Sequence, residues 1–214
     1  KQKFGIPRQG ARVKELCGKI IFVPEFRNPD ALRKIEEFSH LWLIFDFSKS
    51  HREKWSPTVR PPRLGGNERI GVFASRSPFR PNSIGLSCVK LESVGFSEKE
   101  GYFLNVSGVD LLDNTPIYDI KPYVPMADCF PDARGGYSDE NAGHLLEVEF
   151  SEKCEKNKIP ESDLIIIKKC ISEDPRPSYQ EDESRIYRMK YKKYDVCFTV
   201  KGKKAIISEI IADK

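Results

Sequence analysis

From Arg12 to Phe150 the chain alternates short extended runs with connections too short or too rich in proline to hold a helix. A Rossmann-type sheet needs a helical crossover after nearly every strand, so this pattern selects a mainly β fold, closed or nearly closed into a small barrel. Extended segments are expected at Leu41–Phe47, Ile70–Ala74, Ile84–Val94, Tyr102–Val109, Pro116–Lys121 and His144–Phe150. Arg12–Leu16 and Lys19–Val23 flank Gly18 as an expected hairpin. One helix stands out in this part: Asn28 is a good N-cap, Pro29 suits the first helical position, and Leu32 and Ile35 give an apolar face ending before Ser39.

Near residue 151 the character changes. A charged helical stretch carries Leu164, Ile167 and Ile171 on one face, and the D-P-R-P segment at 174–177 stops it. Three strand-like runs follow, Arg185–Tyr191, Val196–Val200 and Ala205–Ile210. The expected organisation is a β-barrel domain over residues 1–150 with one or two helices, then a small α+β domain over 151–214. A chain of 214 residues with 39% hydrophobic residues can fill one sizeable core and a small appended module.

Several function classes drop out. No apolar run reaches the roughly 18 residues that span a bilayer, and no signal peptide is visible in a sequence that begins at Lys1. The cysteines are scattered singly, without C-x-x-C pairs or histidines at zinc-ligand spacing, which reads as reduced thiols in a cytoplasmic protein with no metal site. His40, His51 and His144 lie far apart and carry no metal spacing. There is no G-x-G-x-x-G, Walker loop, H-E-x-x-H or nucleophile elbow.

The net charge of +4 is too small to identify a polyanion partner, but its distribution says more. Arg60, Arg63, Arg69, Arg76, Arg80 and Lys90 form one basic stretch. Arg185, Arg188, Lys190, Lys192, Lys193, Lys201, Lys203 and Lys204 form another. An acidic region between them fits a nucleic acid contacted from two places, with two ordinary solvated faces as the plain alternative.

Three segments concentrate polar residues beside backbone-stiffening prolines. Pro7, Arg8 and Gln9 form the first. The second runs from Ser75 to Gly85, where Pro78 and Pro81 stiffen a loop displaying Arg76, Arg80 and Phe79, preceded by Arg60 to Asn67. Such a loop loses little entropy on binding and offers planar guanidinium forks to phosphate or carboxylate. The third is Asp110–Pro116 followed by Asp119–Tyr123. On a strand, Asp119, Lys121 and Tyr123 share one face, an acid, an amine and a phenol able to hold and deprotonate a substrate nitrogen. A structural salt bridge between Asp119 and Lys121 is the alternative.

At these segments the chain resembles the TsaA-like family, whose characterised members are TrmO tRNA methyltransferases. The matching stretches are G-I-P-R-Q (5–9), E-F-S-H-L-W (37–42), V-R-P-P-R-L-G-G-N (59–67), G-V-F-A-S-R-S-P-F-R-P-N-S-I-G-L-S (71–87), D-L-L-D-N-T-P (110–116) and D-I-K-P-Y-V-P (119–125). D-P-R-P-S-Y (174–179) is similar to the opening of the family's small C-terminal domain. The resemblance begins after the strand that usually precedes P-R-Q, and Ser83 replaces a common proline.

The resemblance implies a small TsaA-like β-barrel that binds S-adenosylmethionine without a Rossmann site, a homodimer, and methyl transfer to N6 of threonylcarbamoyl-adenosine beside the tRNA anticodon. It carries cofactor contacts to Pro7, Arg8, Gln9, Ser48, Lys49, Arg76, Leu86, Asp110, Leu111, Leu112 and Asp113. Family members often place histidine and a polar residue at the positions of Ser48 and Lys49.

The N6 lone pair is delocalised into the ring, so a base or oriented acceptor is needed; Asp119 is the candidate, with Lys121 and Tyr123 orienting. Arg60, Arg63, Arg80, Arg188, Lys192 and Lys193 are the candidate RNA contacts, Arg80 facing a phosphate or the threonyl carboxylate. Two other readings stay open: a catalytically silent RNA-binding barrel, and a methyltransferase with a small-molecule or protein acceptor.

Overall fold

The computed structural model describes residues 12–61, 68–140, 145–176 and 182–212. In chain order the strands are β1 (Cys17–Ile21), β2 (His40–Asp46), β3 (Thr58–Val59), β4 (Ile70–Gly71), β5 (Ile84–Ser97), β6 (Gly101–Ser107), β7 (Ile117–Pro122), β8 (Glu147–Phe150), β9 (Tyr187–Tyr191), β10 (Tyr194–Lys201) and β11 (Lys204–Ala212). The helices are α1 (Pro125–Asp128), α2 (Tyr137–Glu140) and α3 (Glu161–Ser172). The mainly β composition with few helices agrees with the sequence. No helix among the described residues is long and apolar enough to cross a membrane, and the six cysteines are free thiols. The chain divides into two compact units, one made of 9–51 and 82–133, the other of 1–8, 52–81 and 134–214.

In the first unit β1, β6, β5, β2 and β7 form an antiparallel sheet in that order. Alternation along β2 buries Leu41, Leu43 and Phe45. Leu41 and Leu43 join Ile20, Val89, Leu91, Leu104 and Val106 in the core, with Leu32, Ile35, Val109, Leu111 and Ile120 packed against it. Among the described residues β1 and β7 are the edges and no ladder joins them, so the expected barrel is an open five-stranded sheet.

Two local expectations give way. Arg12–Leu16 makes a turn closed by Leu16 N–H to Val13 O at 3.1 Å, and Gly18 sits inside β1 opposite Val106. No hairpin forms there because β1 pairs with β6 instead. Asn28 does cap, its side chain accepting from Asp30 N–H at 2.9 Å. The segment nevertheless breaks into two single 3-10 turns, Pro29–Leu32 and Ile35–Glu37, because Lys34 adopts a left-handed φ of 68° between them.

The other unit holds a four-stranded sheet in the order β8-β11-β10-β9, with β8 parallel to β11 and the other pairs antiparallel. Strand β8 falls before the expected boundary at residue 150, yet it pairs with the C-terminal strands. Helix α3 buries Ile166, Ile167, Cys170 and Ile171 and ends at Ser172, ahead of Asp174 at φ 45° and Pro175. The 52–81 segment contains the two-stranded β3–β4 ladder and a 3-10 turn at Val72–Ala74, where a longer strand from Ile70 to Ala74 is expected from sequence.

Candidate active site on the open face of the first sheet

The face of the five-stranded sheet opposite the core is an ordered grid. Across β5, β2 and β7, register aligns Leu86 with Ile44 and Ile44 with Asp119, then Cys88 with Trp42 and Trp42 with Lys121. His40 pairs with Lys90, and Tyr123 N–H donates to His40 O at 2.9 Å. Leu86 and Asp119 therefore flank Ile44 on one face, about two strand spacings or roughly 10 Å apart.

The end of β2 gathers three connections. Asp46 N–H donates to Pro116 O at 2.9 Å and Phe47 N–H to Ser83 O at 2.8 Å, while Ser50 N–H closes a turn on Phe47 O at 2.8 Å. Ser48 and Lys49 are exposed on that turn. The Asp110–Asp113 segment is anchored from behind, because the buried Ser87 hydroxyl donates to the Asp110 carboxylate and Leu111 packs against the core. Asn114, at φ 57°, turns the chain, and Thr115 donates through N–H and Oγ1 to Leu112 O. Gly85 is required here because the Phe45 ring lies directly over it, where a Cβ would collide.

Of the sequence candidates, Ser48, Lys49, Leu86, Asp110, Leu111, Leu112, Asp113, Asp119, Lys121 and Tyr123 all lie in this unit. Asp119 and Lys121 form an ion pair at 2.9 Å with half-exposed side chains, and Ile120 N–H donates to Asp119 Oδ1 at 2.8 Å. Lys121 first, and the Ile120 amide second, hold the Asp119 carboxyl below its usual range. It is charged and oriented, and correspondingly a weak base. Tyr123 stacks obliquely on Trp42 at 5.8 Å and edge-on to His40 at 6.3 Å. Desolvation, then Cys129, pushes its phenol up, which suits an orienting group rather than a proton carrier. Trp42 Nε1–H donates to Asp128 Oδ2 at 3.0 Å, which also accepts Val124 N–H, fixing the start of α1 against the platform.

Spacing did not reveal His51. Its Nε2 lies 2.6 Å from Asp46 Oδ1, the carboxylate being mostly buried and the imidazole mostly exposed. The signal was present as an acid and a histidine five residues apart across an S-K-S turn, too short for a metal motif and unlike any catalytic signature.

Arg60, Arg76, Arg80, Arg188, Lys192 and Lys193 belong to the other unit, and Pro7, Arg8, Gln9 and Arg63 lie outside the described residues. Arg60 and Arg76 are exposed. Arg80 turns inward, donating from Nη1 to Ser75 O at 3.1 Å, while Ser75 and Ser77 hydroxyls accept the Ser77 and Phe79 amides. Arg52 covers the Phe79 ring at 3.7 Å. Arg80 thus braces the loop from within as well as offering its remaining donors.

Much of the C-terminal basic run is paired. Lys192 Nζ lies 2.7 Å from the buried Asp163 carboxylate, Arg188 Nη1 3.7 Å from Asp195, and Lys204 2.7 Å from Glu149. Lys192, a candidate RNA contact with an exposed side chain, thus also holds the buried Asp163, a partner 29 residues away that sequence proximity did not suggest. Lys193 points its amine toward the Tyr194 ring at 5.6 Å.

Residues 1–129 match the tRNA-methyltransferase O N-terminal domain and residues 143–213 the TrmO C-terminal domain. The chain is 42% identical over 189 residues to the tRNA (adenine(37)-N6)-methyltransferase of Escherichia coli K12, covering 86% of this chain and 80% of that protein. It is 43% identical over 188 residues to the putative S-adenosylmethionine-dependent methyltransferase RcsF of Pseudomonas aeruginosa, covering 85% and 79%. The crystal structure of TrmO from Pseudomonas aeruginosa superimposes with a TM-score of 0.75 at 32% identity over 99% of this chain and 92% of that one. Both domain matches, in order and over nearly the whole chain, place this protein in the tRNA-methyltransferase O family.

Proposed function

We propose that this protein transfers a methyl group from S-adenosylmethionine to N6 of adenosine 37 in tRNA, the reaction named for its Escherichia coli relative. The observation that carries the reading is the Leu86–Ile44–Asp119 row, which puts an oriented carboxylate on the same face as an apolar strip, in the unit that also holds the Ser48–Lys49 turn and the Asp110–Asp113 segment. These residues fit the donor's chemistry. Exposed Ile84 and Leu86 offer apolar surface to a purine, and the Asp110 and Asp113 carboxylates suit a cation. When bound, S-adenosylmethionine supplies a methyl group already activated by its sulfonium charge.

The protein's own residues then have a defined task. Asp119, pinned by Lys121, accepts a hydrogen bond from the N6 hydrogen and fixes the nitrogen lone pair's direction; Tyr123, Trp42 and His40 form an aromatic edge against which a base can stack. A threonylcarbamoyl group on N6 makes that hydrogen more acidic, and we take the modified nucleoside as the acceptor. A homodimer working in the cytoplasm completes the proposal.

Binding of S-adenosylmethionine, or of its demethylated product, to the native chain raises its melting temperature, by roughly 2.7 kcal/mol of stabilisation at a hundredfold excess over Kd. Titration calorimetry without heat at millimolar ligand overturns the reading. The rival of a silent RNA-binding domain predicts tRNA binding without methyl transfer.

Binding of tRNA is salt-dependent, because each neutralised phosphate releases condensed counterions. Arg60→Glu combined with Lys193→Glu, both exposed positions, lowers the slope of log affinity against log salt by about 1–2. An unchanged slope assigns both residues to solvated surface.

A further inference from the structure

The Asp119–Lys121 pair leaves a question that the open face itself answers. A carboxylate held down by a lysine at 2.9 Å can align a proton but is a poor place to leave it. The phenol of Tyr123 is no better, being pushed up by desolvation. The N6 proton needs a group that is basic, oriented and open to solvent.

One row further along the grid, Ile84 aligns with Asp46, and Asp46 lies two residues from Ile44 on the same strand, about 7 Å away. On the other side the β2–β7 register slips, Ile44 pairing with Asp119 and Phe45 with Ile117. Tyr118 is the extra residue of that β-bulge. Bulges re-aim side chains, and here Tyr118 stands within electrostatic reach of Asp46 while remaining 61% exposed. Asp46 is anchored through its own amide to Pro116 O at 2.9 Å. The Phe47–Ser50 turn folds the chain back so that His51 lands on the Asp46 carboxylate.

We propose that His51, held by Asp46, takes the N6 proton during methyl transfer, with Tyr118 forming the outer wall of that subsite. The proposal rests on the methyl-transfer reading above. With Nε2–H donated to Asp46 Oδ1 at 2.6 Å, the imidazole has its Nδ1 lone pair available as the acceptor, the same division of roles that a carboxylate imposes on a histidine in hydrolytic triads. In balance, N6 gains a methyl carbon and loses its proton. The electron pair of the broken sulfur–carbon bond stays on sulfur, and the proton passes to His51 Nδ1 and then to water, to which this side chain is 59% exposed. The group that holds it is Asp46 from β2, on which Tyr118 from the β7 bulge also acts, and Lys49 lies two residues before it in the chain. The modified N6 carries a single hydrogen, so Asp119 aligns it before reaction and the proton then passes through intervening water to His51 as the nitrogen–methyl bond forms.

Two measurements test this. The first needs no cofactor: nitrogen NMR of the imidazole in the free protein is expected to show the Nε2–H tautomer for His51, and Asp46→Asn to abolish that preference while the amide spectrum stays folded. A His51 tautomer unaffected by Asp46→Asn overturns the proposal. The second compares single-turnover methylation of tRNA. His51→Ala is expected to lower the rate about a hundredfold, the lower range for loss of a general base. Added imidazole is expected to restore a substantial part of it, in proportion to the unprotonated imidazole present. A His51→Ala protein that methylates at the wild-type rate, or is slow but insensitive to imidazole, overturns the proposal while leaving methyl transfer intact. A wild-type protein that binds S-adenosylmethionine yet methylates no tRNA removes the underlying reading instead.

Discussion

Asp119→Asn is expected to slow single-turnover methylation of tRNA by about a hundredfold, the range associated with removing one preorganised electrostatic partner of a transition state. The substitution preserves shape and one acceptor oxygen but removes the charge that Lys121 and the Ile120 amide hold in place. Affinities for S-adenosylmethionine and tRNA are expected to stay near wild type, because the lost interaction strengthens as the N6 hydrogen becomes acidic. A near-normal rate would make Asp119–Lys121 an ordinary exposed ion pair, of the kind that contributes little to stability. The effects of Asp119→Asn and His51→Ala are also expected to be less than multiplicative when combined, since both act on the departure of one proton.

Lys192→Glu is expected to destabilise the C-terminal sheet by about 3 kcal/mol, the lower end of the range for breaking a buried ion pair, because the lysine itself is largely exposed. Asp163 sits in the first turn of α3 with its carboxylate 9% exposed. It accepts Lys192 Nζ at 2.7 Å and Tyr191 OH at 3.3 Å. A glutamate at 192 would set a second carboxylate against it. The melting temperature should fall by about 6–12 °C, whereas Lys193→Glu should leave it unchanged. If both variants melt alike, the Lys192–Asp163 pair contributes nothing to the stability of the sheet. The contrast between neighbouring lysines separates charge that holds the sheet from charge that meets a polyanion.

These two sites also show what a sequence can reveal. The β2 strand was legible because Leu41, Leu43 and Phe45 alternate with partly exposed neighbours. The shared face of Asp119 and Lys121 was legible because strand geometry alone fixes it. Helix α3 was read from its apolar spacing and the D-P that stops it. Features that depend on pairing between distant segments were not. The bulge at Tyr118 exists only as a register slip against β2, and the engagement of Lys192 only through a helix 29 residues earlier. Asn28 illustrates a subtler miss. The capping chemistry was right, but a cap does not set helix length, and Lys34 at φ 68° ends the turn after Leu32.

The order β8-β11-β10-β9 has a consequence for synthesis on the ribosome. Strand β11, the last of the four to be made, is an interior strand with β8 on one side and β10 on the other. Until residues 204–212 emerge, β8 has no neighbour in that sheet and the inner edge of β10 is exposed. The five-stranded sheet, by contrast, has all its strands once residue 122 is out. Domains made early tend to fold early, so the open face that carries Asp119 and His51 can take shape while the C-terminal sheet is still waiting for its final strand. A stalled or prematurely terminated chain would then present a formed first sheet followed by an unpaired, aggregation-prone β9–β10 hairpin.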